Sequence, residues 1–216
     1  MQVTPPQRGR LITLEGGEGA GKSTLLRGLE EHLRGQGVDL VVTREPGGTV
    51  VGEAVRGVVL DAANNELSAE AELLLMFASR AQLVRQVIEP ALAAGRWVLC
   101  DRFTDASYAY QGGGRGQPVD RIAELERWAA MGLKPDVTLL LDLPVSTGRA
   151  RAAGRGDADR IEVEGDAFFE RVRAAYRERA ASDPARFRVL DASASPAGVL
   201  EQAIAGVAGL FAGVPS

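Results

Sequence analysis

The chain has 216 residues, of which 45% are hydrophobic and 25% charged, with a formal net charge of −4 and a single cysteine. That much apolar material supports one sizeable core and excludes disorder over most of the length, while the acidic balance argues against a protein that holds nucleic acid by neutralising phosphates. One cysteine excludes an internal disulfide framework or a multi-cysteine zinc site and fits a reducing compartment. No apolar run reaches the ~18–20 residues of a membrane span, and residues 1–8 lack the apolar core of a signal peptide. A cytoplasmic protein with no membrane and no nucleic-acid partner is the expectation.

Residues 1–9 read as a flexible polar tail and residues 10–216 as one domain. Residues 10–15 (Arg-Leu-Ile-Thr-Leu-Glu) form a short β-rich run that passes directly into glycines. A helix is expected from Lys22, with Leu25, Leu26, Leu29 and Leu33 on one stripe and Gly35 and Gly37 ending it. Residues 39–43 read as a second strand and 50–60 as a helix. Ser68 is placed to cap a long helix running to about residue 94, with Pro90 as a kink or break and Gly95 at its close. Strands follow at 97–101, 136–143 and 186–191, and helices at 118–131, after Pro144, at 166–181 and at 196–211. The continuous apolar run at 136–143 suits burial on both faces. Strand–helix alternation predicts a three-layer α/β/α fold around a five-stranded, doubly wound parallel sheet.

The string Gly16-Gly17-Glu18-Gly19-Ala20-Gly21-Lys22-Ser23, followed by Thr24, matches the phosphate-binding loop G-x-x-x-x-G-K-[ST] in full and lies between a strand and a helix. Glycines there let backbone N–H groups close around phosphate oxygens, and the helix N-terminus adds partial positive charge. Lys22 is expected on the β- and γ-phosphates of ATP and Ser23 on Mg²⁺. Neither an Asn-Lys-x-Asp nor an Asp-x-x-Gly string occurs, which argues against a GTPase. Only Lys22 and Lys134 are lysines among the 25 basic residues, so each arginine must be argued from its position. The lone histidine, His32, nearly excludes a Ser-His-Asp hydrolase.

Four further segments bear on the acceptor: Thr-Arg-Glu-Pro-Gly-Gly-Thr at 43–49, Phe-Ala-Ser-Arg-Ala-Gln at 77–82, Asp-Arg-Phe at 101–103 with Ser-Tyr-Ala-Tyr-Gln-Gly-Gly-Gly-Arg-Gly at 107–116, and Arg-Gly-Asp-Ala-Asp-Arg-Ile-Glu at 155–162. In this order and at these separations they resemble the bacterial thymidylate kinases, from about Arg10 to the last helix. The resemblance implies phosphoryl transfer from ATP to dTMP with Mg²⁺, and a homodimer. It places Arg102 and Arg56 on the acceptor phosphate and Asp101 at the metal, with Glu45 and Pro46 beside them. Arg80, Ser107 and Gln111 fall to the base, Tyr110 lies under the sugar, and Glu18 approaches the 3′-hydroxyl or the metal. Where the family usually has an aromatic on the base, this chain has Met76 followed by Phe77, and either residue could cover it. A lid at about 149–162 carries Arg149, Arg151, Arg155, Arg160 and Glu162. Gly19 stands where the eukaryotic branch has arginine, which implies a catalytic arginine from the lid, Arg155 aligning best and Arg149 or Arg160 being alternatives. The readings that compete with this one are another small P-loop nucleoside monophosphate kinase and a non-catalytic ATP sensor.

Overall fold

Every β-rich run forms a strand in the computed structural model, which describes residues 8–153 and 159–212. β1 (Leu11–Gly16), β2 (Leu40–Arg44), β3 (Trp97–Asp101), β4 (Val137–Asp142) and β5 (Phe187–Asp191) form one parallel sheet in the order β2-β3-β1-β4-β5. Leu14 pairs with Asp101 across β1 and β3, and Gly16 with Leu141 across β1 and β4. The three central strands are buried on both faces because helices cover both.

One face packs on α1 (Lys22–Gly35) and α9 (Pro196–Val207), where Leu25, Leu29 and Leu33 meet Ile12, Leu14, Leu139 and Val199. The other packs on α3 (Ala69–Leu83), the turn that follows it, and α8 (Asp166–Ser182), with Leu83, Ile88 and Phe103 beneath β1 and β3 and Phe169, Val172 and Tyr176 beneath β4. α2 (Val50–Leu60) follows β2, and Ser68 caps α3 as expected, accepting from the Ala71 amide at 3.2 Å. Gly9, which the sequence assigns to the tail, is buried and donates to the Leu92 carbonyl. Residues 1–7 of that tail lie outside the described residues.

Three local features differ from expectation. The long helix neither breaks nor stops at Pro90: α3 widens into a π-helical turn at Val84–Ile88 and continues as α4 (Glu89–Ala93). The wide turn comes immediately before the proline, whose missing N–H and ring then fall in the first turn of α4, where they cost least. The glycine-rich string after β3 is helical, with α5 (Thr104–Ser107) passing into a second π-helical segment at Tyr108–Gly114. Its glycines admit close packing on α8, since a Cβ at Gly113 would lie 2.9 Å from the Arg171 carbonyl oxygen. Finally, Arg149 and Arg151 sit in α7 (Val145–Ala152), so the expected lid loop begins later than residue 149. The remaining helix is α6 (Val119–Ala129).

Candidate active site

The chain leaves β1 toward β2 on one side and reaches β4 on the other, so the order reverses at β1 and opens a crevice beyond the carboxyl ends of β1 and β3. The phosphate loop occupies that end of β1. Gly16, Gly19 and Gly21 have φ of 144°, 68° and 93°, a region that favours glycine. Lys22 Nζ donates to the Gly16 carbonyl at 3.1 Å and the Gly17 carbonyl at 2.9 Å. Burial, followed by the Arg102 charge, pushes its pKa down to about 8. Gly19 crosses Gly148 of α7 so closely that a Cβ on it would lie 1.9 Å from the Gly148 oxygen. A Cβ on Gly148 would in turn lie 2.3 Å from the Glu18 oxygen.

Arg102 follows β3 in a left-handed turn at φ 68°. Its NH1 donates to the Gly16 carbonyl at 3.0 Å and the Tyr176 hydroxyl at 3.2 Å. Its NH2 donates to Glu18 Oε1 at 2.8 Å and the Tyr110 hydroxyl at 3.0 Å. Tyr110 stacks under this guanidinium at 4.7 Å and donates its own proton to Glu18. Glu15 supports the turn from below, accepting from the Phe103 amide and the Tyr176 hydroxyl, both at 2.7 Å. Burial and the nearby Asp105 carboxylate raise the Glu15 pKa to about 8.

The crevice encloses about 370 Å³, with the phosphate loop at one end and Met76, Tyr110 and Gln111 at the other. Arg56 reaches it from α2, holding the Pro46 carbonyl at 3.1 Å. Met76, and not Phe77, lines the space; Phe77 packs into the core with Leu73, Tyr108 and Ile122. Arg80 is fully buried beneath the wall, where it pairs with Glu45, donates to Ser107 Oγ at 3.0 Å and to the Phe103 carbonyl at 3.0 Å, and stacks on Phe77 at 4.5 Å. Arg80 and Ser107 therefore stand behind the residues that face the crevice. Burial raises the Glu45 pKa, and its Oε1, like Gln111 Oε1, has no hydrogen-bond partner among the described residues.

The lid residues separate. Arg149 pairs with Asp166 at 2.8 Å and donates to the Glu164 carbonyl. Arg151 donates to the Ala192 carbonyl and borders a groove between the phosphate loop and residues 192–199. Glu162 and Asp159 line the crevice. Arg160 does not: it is buried on Glu72 and the Val59 carbonyl. Arg155 lies outside the described residues.

Asp101 and Ser23 share the crevice near the loop, and Asp101 Oδ1 is buried without a partner. Among the described residues no three His, Cys, Asp or Glu gather into a metal cage. One carboxylate with an oxygen that has no partner among the described residues and one hydroxyl, on residues that line the crevice, fit Mg²⁺, which keeps several waters and needs few protein ligands.

The chain has known relatives. The sequence model for thymidylate kinase matches residues 14–204. The chain belongs to the thymidylate kinase family. It is 60% identical over 184 residues to the thymidylate kinase of Ectopseudomonas mendocina (strain ymp), covering 85% of this chain and 88% of that one. With the thymidylate kinase of Halorhodospira halophila it shares 57% over 207 residues, 95% and 96% of the two chains. The crystal structure of thymidylate kinase from Ehrlichia chaffeensis superposes with a TM-score of 0.74 at 31% identity, covering 92% of this chain and 98% of that one. Membership makes the protein a P-loop phosphotransferase with the expected three-layer fold.

Sequence reasoning missed Glu15, Glu72, Tyr176 and the groove at residues 192–199. Two signals were available: a glutamate inside an otherwise apolar first strand, and a Ser-Ala-Ser-Pro turn at the carboxyl end of the last strand.

Proposed function

We propose that the protein transfers the γ-phosphoryl group of ATP to dTMP, giving ADP and dTDP, as a cytoplasmic, Mg²⁺-assisted homodimer. The observation that carries this reading is one crevice with a complete phosphate loop at one end and an unpaired amide acceptor, Gln111 Oε1, at the other. Loop amides and the α1 N-terminus receive the donor phosphates, and Lys22 exchanges its two carbonyl partners for them. The groove beside Arg151 and Ala192 takes the adenine.

On the acceptor side, Arg102 and Arg56 bind the dTMP phosphate, Met76 covers the base, Tyr110 lies against the sugar and Gln111 accepts from the pyrimidine N3–H. Glu45 and Pro46 close the wall, and Arg80 with Ser107 holds Glu45 and the start of the Tyr108–Gly114 segment in place. Glu18 orients Arg102 and Tyr110 and faces the 3′-hydroxyl. The dTMP phosphate is itself a competent nucleophile, so no general base is needed. Alignment and charge stabilisation by Lys22, Arg102 and Arg155 do the chemistry. Ser23 and Asp101 would hold Mg²⁺, which when bound neutralises charge on the β- and γ-oxygens.

Leu74 on α3 and Trp128 on α6, 58% and 82% exposed around one apolar hollow, support a second copy as partner. A sedimenting species of 22.8 kDa at working concentration would count against it.

The direct test is ADP release with ATP–Mg²⁺ and one acceptor at a time: dTMP, dUMP, UMP, dCMP, CMP, dGMP or none. Strong turnover with dTMP, weaker with dUMP and negligible with UMP is expected. Another preferred acceptor would overturn the base site, and silence with all of them would leave an ATP sensor. Arg155→Ala should lower kcat ~10³-fold with little change in the KM for dTMP; an unchanged kcat would remove Arg155 from the reaction.

A further inference from the structure

Behind the base end of the crevice lies a buried ionic cluster that the transfer reaction does not use. Glu72, on α3, is 1% exposed. Its Oε1 accepts from Gln111 Nε2 at 2.8 Å, and its Oε2 accepts from Arg115 Nε at 3.2 Å and from Arg160 NH2. Arg160 is tied in turn to the end of α2, through its Nε to the Val59 carbonyl and its amide to the Leu60 carbonyl.

A glutamine amide presents two chemically opposite ends, and only its neighbours decide which faces a ligand. A carboxylate oxygen accepts hydrogen bonds, so it is the NH₂ end of Gln111 that faces Glu72. The carbonyl end is then turned the other way. Gln111 is itself 1% exposed, lines the crevice, and its Oε1 has no partner among the described residues. A buried acceptor in that position calls for a donor, which the N–H of a bound base can supply.

We propose that Glu72 is the specificity-determining residue behind the base site: by fixing the direction of the Gln111 amide it makes the enzyme require an N–H at position 3 of a pyrimidine and reject cytosine, whose N3 is an acceptor. This rests on the proposed thymidylate reading and deepens it. Glu72 does not touch the base, so it acts as a positioning residue. Arg115 and Arg160 hold the carboxylate in place.

The test is a selectivity cycle on the full-length enzyme, comparing kcat/KM for dTMP, dUMP and dCMP. In Glu72→Gln the neighbour of Gln111 can donate as well as accept, so the Gln111 amide is free to turn over. The dTMP:dCMP ratio should fall about tenfold or more. The dTMP:dUMP ratio should hold, because both bases carry the same N3–H. In a Gln111→Ala background the same substitution should change the dTMP:dCMP ratio no further. An unchanged ratio in Glu72→Gln, or an equal fall with and without Gln111, would overturn the inference, the second outcome marking Glu72 as a folding residue only.

A wild-type enzyme indifferent between dTMP and dCMP would overturn the thymidylate reading and this inference together, and would be seen before any variant is made. Should Glu72→Gln fail to fold, wild-type protein still decides. The Gln111 NH₂ resonances, assigned by their loss in Gln111→Ala, should stay in place on dTMP addition, whereas a large downfield shift would show the NH₂ end donating to the base and overturn the proposal.

Discussion

Arg80 and Arg102 lie on neighbouring elements of one site, yet they are held in opposite ways. Arg80 is 0% exposed and its partner Glu45 is 1% exposed, with the remaining donors taken by Ser107 and the Phe103 carbonyl. Arg102 is 16% exposed, and its donors rest on two tyrosine hydroxyls, one carbonyl and a carboxylate that is itself 22% exposed. An arginine saturated by buried partners is architecture. One lent to hydroxyls and a half-open carboxylate can turn to a phosphate, because the groups it leaves behind can meet water.

The contrast can be broken first at Arg80. Arg80→Met leaves Glu45 buried without its counter-charge, and unfolding stability should drop by about 3–5 kcal/mol, read from denaturant midpoints. A wild-type midpoint would mean that Glu45 has another source of compensation. Arg102→Met should do the reverse, lowering kcat by about 10²-fold or more while moving stability by only about 1 kcal/mol. If both substitutions cost the same stability, the distinction between the two arginines fails.

A finer test lies in Glu15, which supports the Arg102 turn. Its folded pKa, about 8, stands above the ordinary 4.5, so folding favours the protonated form. The stability it contributes is fully present below pH 4.5 and is lost as pH rises through 8. Phe103 N–H and Tyr176 hold the carboxyl while Asp105 and Arg102 act on its charge. Glu15→Gln should therefore flatten the decline across that window, by at most ~1.4 kcal/mol per pH unit. Parallel stability curves for the two proteins would sink this account.

What could be read from the sequence was whatever is local. The phosphate loop needs only eight consecutive residues, and each strand shows itself by its own apolar run, which is why all five strand ends agree within one residue. Tertiary partnership left no such trace. Glu72 meets Gln111 across 39 positions and Arg160 across 88, and Tyr176 reaches Glu15 across 161. Arg160 was weighed as a lid arginine because its neighbours in sequence are polar, whereas its neighbours in space are a buried carboxylate and a helix end. The Tyr108–Gly114 segment was opaque for a related reason. Three successive glycines weaken a helix taken alone, and only the close approach of α8 to Gly113 and Gly114, and of Ile122 on α6 to Gly112, explains them.

The contact between Gly19 and Gly148 joins the phosphate loop to α7 backbone against backbone. Because neither position tolerates even a methyl group, the phosphate loop and the start of α7 are keyed to one another and travel as a single piece. An arginine cannot be grafted into the loop at Gly19 without prising that joint apart. Two residues with no side chain thus keep one face of the loop closed to any side chain at all.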